Sequence, residues 1–372
     1  MMSDCDVYLR NSEIYLNRFI CRRMYRYWIR INPRLRRQLF DYRQIEDTSE
    51  KNEACVRILN SLEGSFIWRL EKWINCFYED LSLYRSFHNQ RTRIDNSDPC
   101  QKDYYSVVVV LKNEARYIKE YILFYKATGA ERIYIYDNES TDNLMDEIDP
   151  FVKSGFVVYQ KWPGEIVQTA AYRDAIRRYK KRTKWLAIVD SDEFLFSPQG
   201  DMRIQLKTYE EYPGIGANWK MFGPNGHDKS PDGLVIENYT TTIANDDDPI
   251  NRHIKSIVQP DKVFLIDHTH YPIYKGNKYA VDENKNSIDN NYALAPSAGK
   301  AFTRKSGGRV FRINHYSTKS LEDLHRKCER GYCDGSPNRD INDALRPFEL
   351  PLKEDRLICQ YVDAIKSSGG VI

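Results

Sequence analysis

From residue 104 onward, apolar and polar positions fall into blocks of two alternating periods. Tyr104–Leu111 (YYSVVVVL) is a continuous apolar run, which predicts a buried strand. Glu114–Thr128 carries apolar residues at helical spacing and stops at Gly129. Strands are predicted at Arg132–Tyr136, Gly155–Gln160 and Lys184–Asp190, with helices at Thr141–Phe151 and Val167–Arg182 between them. This β-α-β-α-β-α-β order predicts an α/β fold with a mainly parallel sheet, and right-handed crossovers make it Rossmann-like with helices on both faces. From about residue 200 the pattern is mixed and rich in Gly, Asn and Asp, which predicts loops and short strands before a helix at Lys319–Arg330. Residues 1–95 instead read as helices: Tyr15–Ile31, ended or bent at Pro33, then Ala54–Leu62 and Phe66–Leu83. Asn89–Lys102 reads as a linker. The chain therefore divides into a helical region, residues 1–100, and an α/β domain, residues 101–372.

Composition narrows the class. The 372 residues are 41% hydrophobic and 29% charged, which excludes wholesale disorder. No run of about 18 apolar residues occurs, so no transmembrane helix is expected. The first residues lack a basic segment followed by an apolar core, so no secretory leader is expected either. Eight scattered cysteines form no disulfide framework and point to free thiols in a reducing cytosol. Net charge is +3, but residues 1–45 hold ten Arg against four acidic residues. That basic front, with Tyr25, Tyr27 and Trp28 among its arginines, fits either a helical subdomain with exposed Arg or attachment to an anionic membrane surface. No nucleic-acid recognition motif is present, and nucleic acid is not an expected partner.

The informative polar residues follow the strands. The first strand ends in Lys112-Asn113-Glu114, the second in Asp137-Asn138-Glu139-Ser140-Thr141-Asp142, and the fourth in Asp190-Ser191-Asp192-Glu193. Acids and amides are thus delivered to the edge of the sheet where α/β folds bind ligands. In an extended segment the carboxylates of Asp190 and Asp192 share a face and can hold a hard divalent cation, which can bridge a diphosphate. The 137–142 cluster serves either as turn and helix cap or as a nucleotide contact, with Asp137 accepting from a base or ribose. His268-x-His270 lacks a further ligand at obvious spacing, and His325-x2-Cys328-x4-Cys333 lacks a fourth zinc ligand. Gly-x-Gly-x-x-Gly, Walker A and Gly-x-Ser-x-Gly sequences are all missing, which removes dinucleotide oxidoreductases, P-loop enzymes and elbow-type hydrolases.

The stretches LKNEARYIKEYILFYKATGAERIYIYDNESTDN and WLAIVDSDEFLF, followed by NWKMFGPNGH, HIKSIVQPDKVF and INHYSTKSLEDLHRKCERG, resemble GT-A glycosyltransferases of the family 2 and family 92 type over about residues 104–333. The resemblance implies a GT-A fold, a nucleotide-sugar donor (by analogy a UDP-sugar), Mn²⁺ or Mg²⁺, and inverting transfer to an acceptor hydroxyl. Matched by motif, Asn113, Glu114, Asp137, Asn138 and Asp142 fall beside the nucleotide, and Lys255 and Lys319 face the diphosphate or acceptor. Asp190, Asp192 and His315 form the metal site, with Asp192 the direct ligand.

Inversion needs a carboxylate to take the acceptor's proton. Asp228 is favoured from its place after NWKMFGPNGH, with Asp232, Glu237 and Glu193 as alternatives. The expected role is synthesis of a surface polysaccharide or glycoconjugate on a glycan or lipid-linked acceptor, in the cytoplasm or peripherally at the inner face of a membrane. Two other functions compete. A sugar nucleotidyltransferase is disfavoured because KNEARYIKE stands where a Gly-rich basic loop belongs. An inactive GT-A-like scaffold is disfavoured by the intact Asp-Ser-Asp.

Overall fold

The computed structural model of the chain describes residues 32–45, 50, 54, 58, 66–288, 301–331, 333 and 340–369. The predicted helix Tyr15–Ile31 and nearly all of Ala54–Leu62 lie outside the described residues. Two compact units divide the chain: Met1–Asp80 with Ile288–Phe302, and Leu81–Ser287 with Thr303–Ile372.

In the first unit, Pro33 starts a helix. Helix α1 (Pro33–Gln44) has Asn32 as its cap, with the side chain accepting from the Leu35 N–H at 3.1 Å. A proline costs nothing at the first helical position, because its N–H would be unpaired there and its φ is already helical. Leu35, Leu39 and Tyr42 bury one stripe. Helix α2 (Phe66–Phe87) contains the predicted Phe66–Leu83, but Trp73, Phe77 and Tyr78 of its apolar set are exposed.

The second unit is built on one nine-stranded sheet. Its parallel block is β2 (Asp103–Leu111), β3 (Arg132–Asp137), β4 (Val157–Lys161) and β5 (Thr183–Ile188), ordered β4-β3-β2-β5. The expected crossovers are present as α3 (Ala115–Ala127), α4 (Leu144–Lys153) and α5 (Gln168–Tyr179). Tyr105, Val107, Val109 and Leu111 join one core with Ile118, Ile122 and Phe124 of α3 and with Leu144 and Ile148 of α4. The opposite face meets α5: Tyr134 stacks on Tyr179 at 3.6 Å, and the Tyr136 hydroxyl donates to Asp174 at 2.9 Å. Burial on both faces explains why these strands read as unbroken apolar runs.

The sheet continues beyond β5 as β9 (Ile254–Val258), β7 (Gly214–Met221), β12 (Arg312–His315) and β6 (Glu193–Phe196). Here β9 is antiparallel to both neighbours, while β12 runs parallel to β7 and antiparallel to β6. Outside it, β10 (Val263–Leu265) pairs with β11 (Ile273–Tyr274), and β8 (Thr241–Ile243) with β13 (Leu352–Glu354). The helix after β12 is α6 (Leu321–Arg330), closed at its start by a Ser320–Asp323 capping box.

The expected linker Asn89–Lys102 is partly sheet. Its β1 (Arg93–Ile94) pairs antiparallel with the edge strand β4. A two-residue pairing leaves no periodicity to read. Its polar residues are spent on Arg182, which bonds Asp95 at 3.2 Å and the Ser97 hydroxyl at 2.8 Å.

Two buried charges tie the frame together. Arg132 of β3 forms a two-pronged pair with Asp103 of β2, at 2.7 and 3.1 Å, and both residues are 2% exposed. Removing one partner leaves the other charge buried and alone. Asp103→Ala should therefore cost about 3–5 kcal/mol in urea unfolding. A loss below about 1 kcal/mol contradicts this account.

The buried Glu120 of α3 accepts from the Val235 and Ile236 N–H groups at 2.7 and 3.1 Å, holding the start of the one-turn helix Val235–Asn238. Burial pushes its carboxyl up to about 7 despite these two bonds. The folded chain then keeps a proton that the unfolded chain releases near its ordinary carboxylate value. The stabilisation is complete below that value and is lost as pH rises through about 7. Across this window the wild type should lose stability relative to Glu120→Gln. Parallel pH profiles exclude Glu120 as the source.

Candidate active site

Strand β5 ends at Ile188, and the chain turns through Asp190-Ser191-Asp192 into β6. The β6–β12 register pairs Glu193 with His315, and the Tyr316 N–H donates to the Asp192 carbonyl at 2.9 Å. That register brings His315 beside Asp192, with Nε2 to Oδ1 at 3.5 Å. Lys255 comes from β9, the strand next to β5. Lys327 comes from α6 and pairs with the other Asp192 oxygen.

The two carboxylates have different surroundings. Asp190 accepts from Lys255 at 2.7 Å, Gln168 at 2.8 Å and the Tyr172 hydroxyl at 3.1 Å. Burial pushes the Asp192 carboxyl up, but Lys327 and His315 outweigh this and hold it well below the carboxylate range. Glu193 is fully buried, accepts from the Asp190 N–H at 2.8 Å and lies 3.8 Å from Lys255. Burial, with Asp190 and Asp192 nearby, drives its carboxyl well above the ordinary value. Burial pulls Lys255 down, yet Asp190 and Glu193 raise it to about 12. Burial lowers His315, whose Nδ1 is enclosed without a hydrogen-bond partner.

Two cavities flank this cluster. The first, about 1110 Å³, is lined by Asn113, Glu114, Asp142 and Lys319 among others. The second, about 800 Å³, is lined by Asn138, Asp190, Lys255 and His315. Asp192, Ser317, Lys327 and Arg330 belong to both walls. The structure thus gathers most of the residues that the sequence singles out.

Five of them line neither cavity: Asp137, Glu193, Asp228, Asp232 and Glu237. Asp137 is buried outside both walls, accepting from the Ser140 N–H at 2.9 Å and the Tyr159 hydroxyl at 2.7 Å. Glu193 lies behind the cluster. Asp228 is exposed and lines neither cavity; its carbonyl accepts from the Glu322 N–H at 3.0 Å.

Other residues escape a reading of the sequence. Gln168 and Tyr172 are ordinary helix positions until α5 lays them on Asp190. Lys327 and Arg330 look like a solvated helix face. Their spacing of three, which puts both on one side of α6, was the available signal. Arg330 donates to Glu114 at 2.8 Å and to the Lys112 carbonyl, tying α6 to the end of β2.

Three of the six non-glycine residues with left-handed backbone among the described residues lie on these walls. Asn113, Glu139 and Lys319 have φ of 55°, 59° and 49°. Left-handed backbone is uncommon for non-glycine residues, most of all for Glu and Lys, and concentrates at functional sites. Asn113 is secured there by the Thr141 N–H at 2.7 Å, and Lys319 packs over the Tyr117 ring at 4.2 Å.

Among the described residues, no three His, Cys, Asp or Glu side chains converge as a metal-binding group. Asp190 is turned onto Lys255, whereas Asp192 and His315 are adjacent, and an imidazole that burial keeps from charging, beside an ionised carboxylate, fits a divalent cation completed by substrate and water oxygens.

The glycosyltransferase family 92 model matches residues 108–329. A family 92 protein of Oryza sativa subsp. japonica is 32% identical over 213 residues, 55% of this chain and 35% of that protein. One of Arabidopsis thaliana is 28% identical over 168 residues, 42% of this chain and 28% of that one. The chain spans about a third of the length of the curated relatives it matches. Among solved structures, S. aureus TarS 1-349 is 13% identical, covering 71% of this chain and 72% of that one with a TM-score of 0.34. A Pyrobaculum calidifontis mannosyltransferase in complex with GDP-Man and Mn²⁺ is 16% identical, covering 40% and 46% with a TM-score of 0.23. No helix among the described residues is long and apolar enough to cross a membrane. With its family model spanning the parallel block, both cavities' acids and most of α6, the chain belongs to glycosyltransferase family 92.

Proposed function

We propose that this chain transfers a hexose from a nucleotide-sugar donor, a UDP-sugar by analogy, to a hydroxyl of a glycan or lipid-linked acceptor with inversion. One observation carries the reading: an acid–lysine cluster at the carboxyl end of β5 forms a wall shared by two adjoining cavities. The donor occupies the second cavity, with its nucleoside against Leu111, Lys112, Asn138 and Glu139 and its diphosphate at the cluster. The acceptor enters from the first, whose rim of balanced acids and bases suits a polyhydroxyl ligand.

Asp192 and His315 would hold Mn²⁺ or Mg²⁺, which supplies charge to offset the leaving diphosphate. Lys255 fixes Asp190 and contributes positive charge to the same place. Lys327 is 21% exposed on a long flexible stem, so it can exchange Asp192 for a phosphate oxygen. Arg330 brings a further cation to the shared wall. The ten arginines of residues 1–45 support attachment to an anionic membrane surface, where lipid-linked acceptors reside.

The test is a thermal-shift panel of nucleoside diphosphates and nucleotide sugars with Mn²⁺, Mg²⁺ or EDTA. At a hundredfold excess over Kd a bound nucleotide stabilises by about 2.7 kcal/mol. One nucleotide class should raise Tm with metal and lose most of that shift in EDTA. Asp192→Ala should remove the metal-dependent part while keeping the unliganded Tm within a few degrees. A folded wild type with no shift for any nucleotide contradicts the proposal.

A further inference from the structure

The sequence pairs His268 with His270 without giving them a use, and the structure sets His270 in the wall of the second cavity beside Trp219. Their position can be read along the sheet. The cavity wall begins with residues at the ends of β2 and β3, Lys112 and Asn138, and passes Asp190 at the end of β5. It finishes at β9, β7 and β12, which present Lys255, Trp219 and His315. A nucleotide sugar has the same linear order: nucleoside, diphosphate, sugar. With the nucleoside over β2 and β3 and the diphosphate at β5, the sugar falls against β7 and β9.

The groups there are fixed by short contacts. His270 Nδ1 lies 2.8 Å from the Ile254 carbonyl of β9. A carbonyl only accepts, so Nδ1 carries the hydrogen and Nε2 keeps its lone pair. The His270 carbonyl accepts from the Ser256 hydroxyl at 2.8 Å, so β9 holds both its backbone and its ring. The His270 N–H donates to His268 Nδ1 at 3.1 Å, and the His268 ring stacks on Tyr271 at 4.6 Å. Burial, with Lys255, His268 and His253 nearby, keeps the His270 ring uncharged. Trp219 meets the His270 ring edge-on at 5.3 Å and the His315 ring at a tilt at 4.4 Å, and its Nε1–H is enclosed without a hydrogen-bond partner. An aromatic wall with one preset acceptor is the make-up of a site for a small ring bearing hydroxyls.

We infer that Trp219 and His270 form the subsite for the transferred sugar, with His270 Nε2 accepting a hydrogen bond from one of its hydroxyls and so setting which sugar is taken. This rests on the donor site proposed above. Its selectivity comes from tautomer: a ring locked as an acceptor rewards a correctly placed hydroxyl and gains nothing from an epimer that lacks it.

The experiment is calorimetric titration of the full chain with Mn²⁺, using UDP, GDP and their glucose, galactose, mannose and N-acetylglucosamine derivatives. In the wild type one nucleotide sugar should bind more tightly than its parent nucleotide. His270→Ala should weaken that sugar nucleotide about three- to tenfold while leaving the parent nucleotide unchanged. His270→Asn, which keeps a short acceptor, should recover part of the difference and also guards against a folding defect in the alanine variant. Equal loss for nucleotide and nucleotide sugar makes His270 a merely structural residue and overturns the inference. So does unchanged binding of both by a folded variant, or a wild type that binds nucleotide and every sugar derivative alike. A wild type that binds no nucleotide removes the donor site itself, a failure distinct from the other three.

Discussion

The organisation of the second unit turns on a group of charges that cannot be buried singly. Asp192, Glu193 and Lys255 are buried together at the carboxyl end of β5, with the partly exposed Asp190 against Lys255. Lys255 serves both Asp190 and Glu193, while Lys327 and His315 serve Asp192. Four strands and one helix must be in register for those pairings to form. The β6–β12 ladder sets His315 against Glu193, β9 sets Lys255 beside β5, and α6 lays Lys327 over the turn. The acidic turn is thus held in place by the same contacts that keep it charged.

The surrounding loops are arranged at a cost. Left-handed backbone at Asn113, Glu139 and Lys319 is expensive for residues other than glycine, of order 1–3 kcal/mol each. It persists because neighbours hold it: Thr141 and Ser140 around Asn113, and Glu114 with Tyr117 around Lys319. These three positions sit on cavity walls, while Asn225, Asn277 and Lys285 carry the same backbone away from both cavities.

Much of this was legible in the sequence, and the reasons differ by element. The parallel block was readable because doubly buried strands produce unbroken apolar runs, and the acids at their ends marked the ligand edge. Val107–Leu111 and Trp185–Ile188 are such runs, and all are buried. The half of the sheet from β6 to β12 was blurred, because its strands are short and come from distant parts of the chain. Pro33 reads in the sequence only as the end or bend of a preceding helix, whereas the Asn32 cap shows that one starts there. Asp190 and Asp192 look equivalent in sequence. Tertiary packing separates them, since Gln168 and Tyr172 claim the first and leave the second beside His315. Asp228 shows the limit from the other side: proximity to a motif in the chain did not carry its exposed side chain into either cavity.

The central claim is that the turn Asp190–Asp192 is where a nucleotide's diphosphate is received. A crystal of the chain grown with Mn²⁺ and UDP, measured at a wavelength where manganese scatters anomalously, tests it directly. The account predicts one strong anomalous peak beside Asp192 and His315. It also predicts diphosphate density within reach of Lys327, and nucleoside density toward Asn138. A nucleotide bound elsewhere, with Lys327 still paired to Asp192 and no peak at His315, contradicts it.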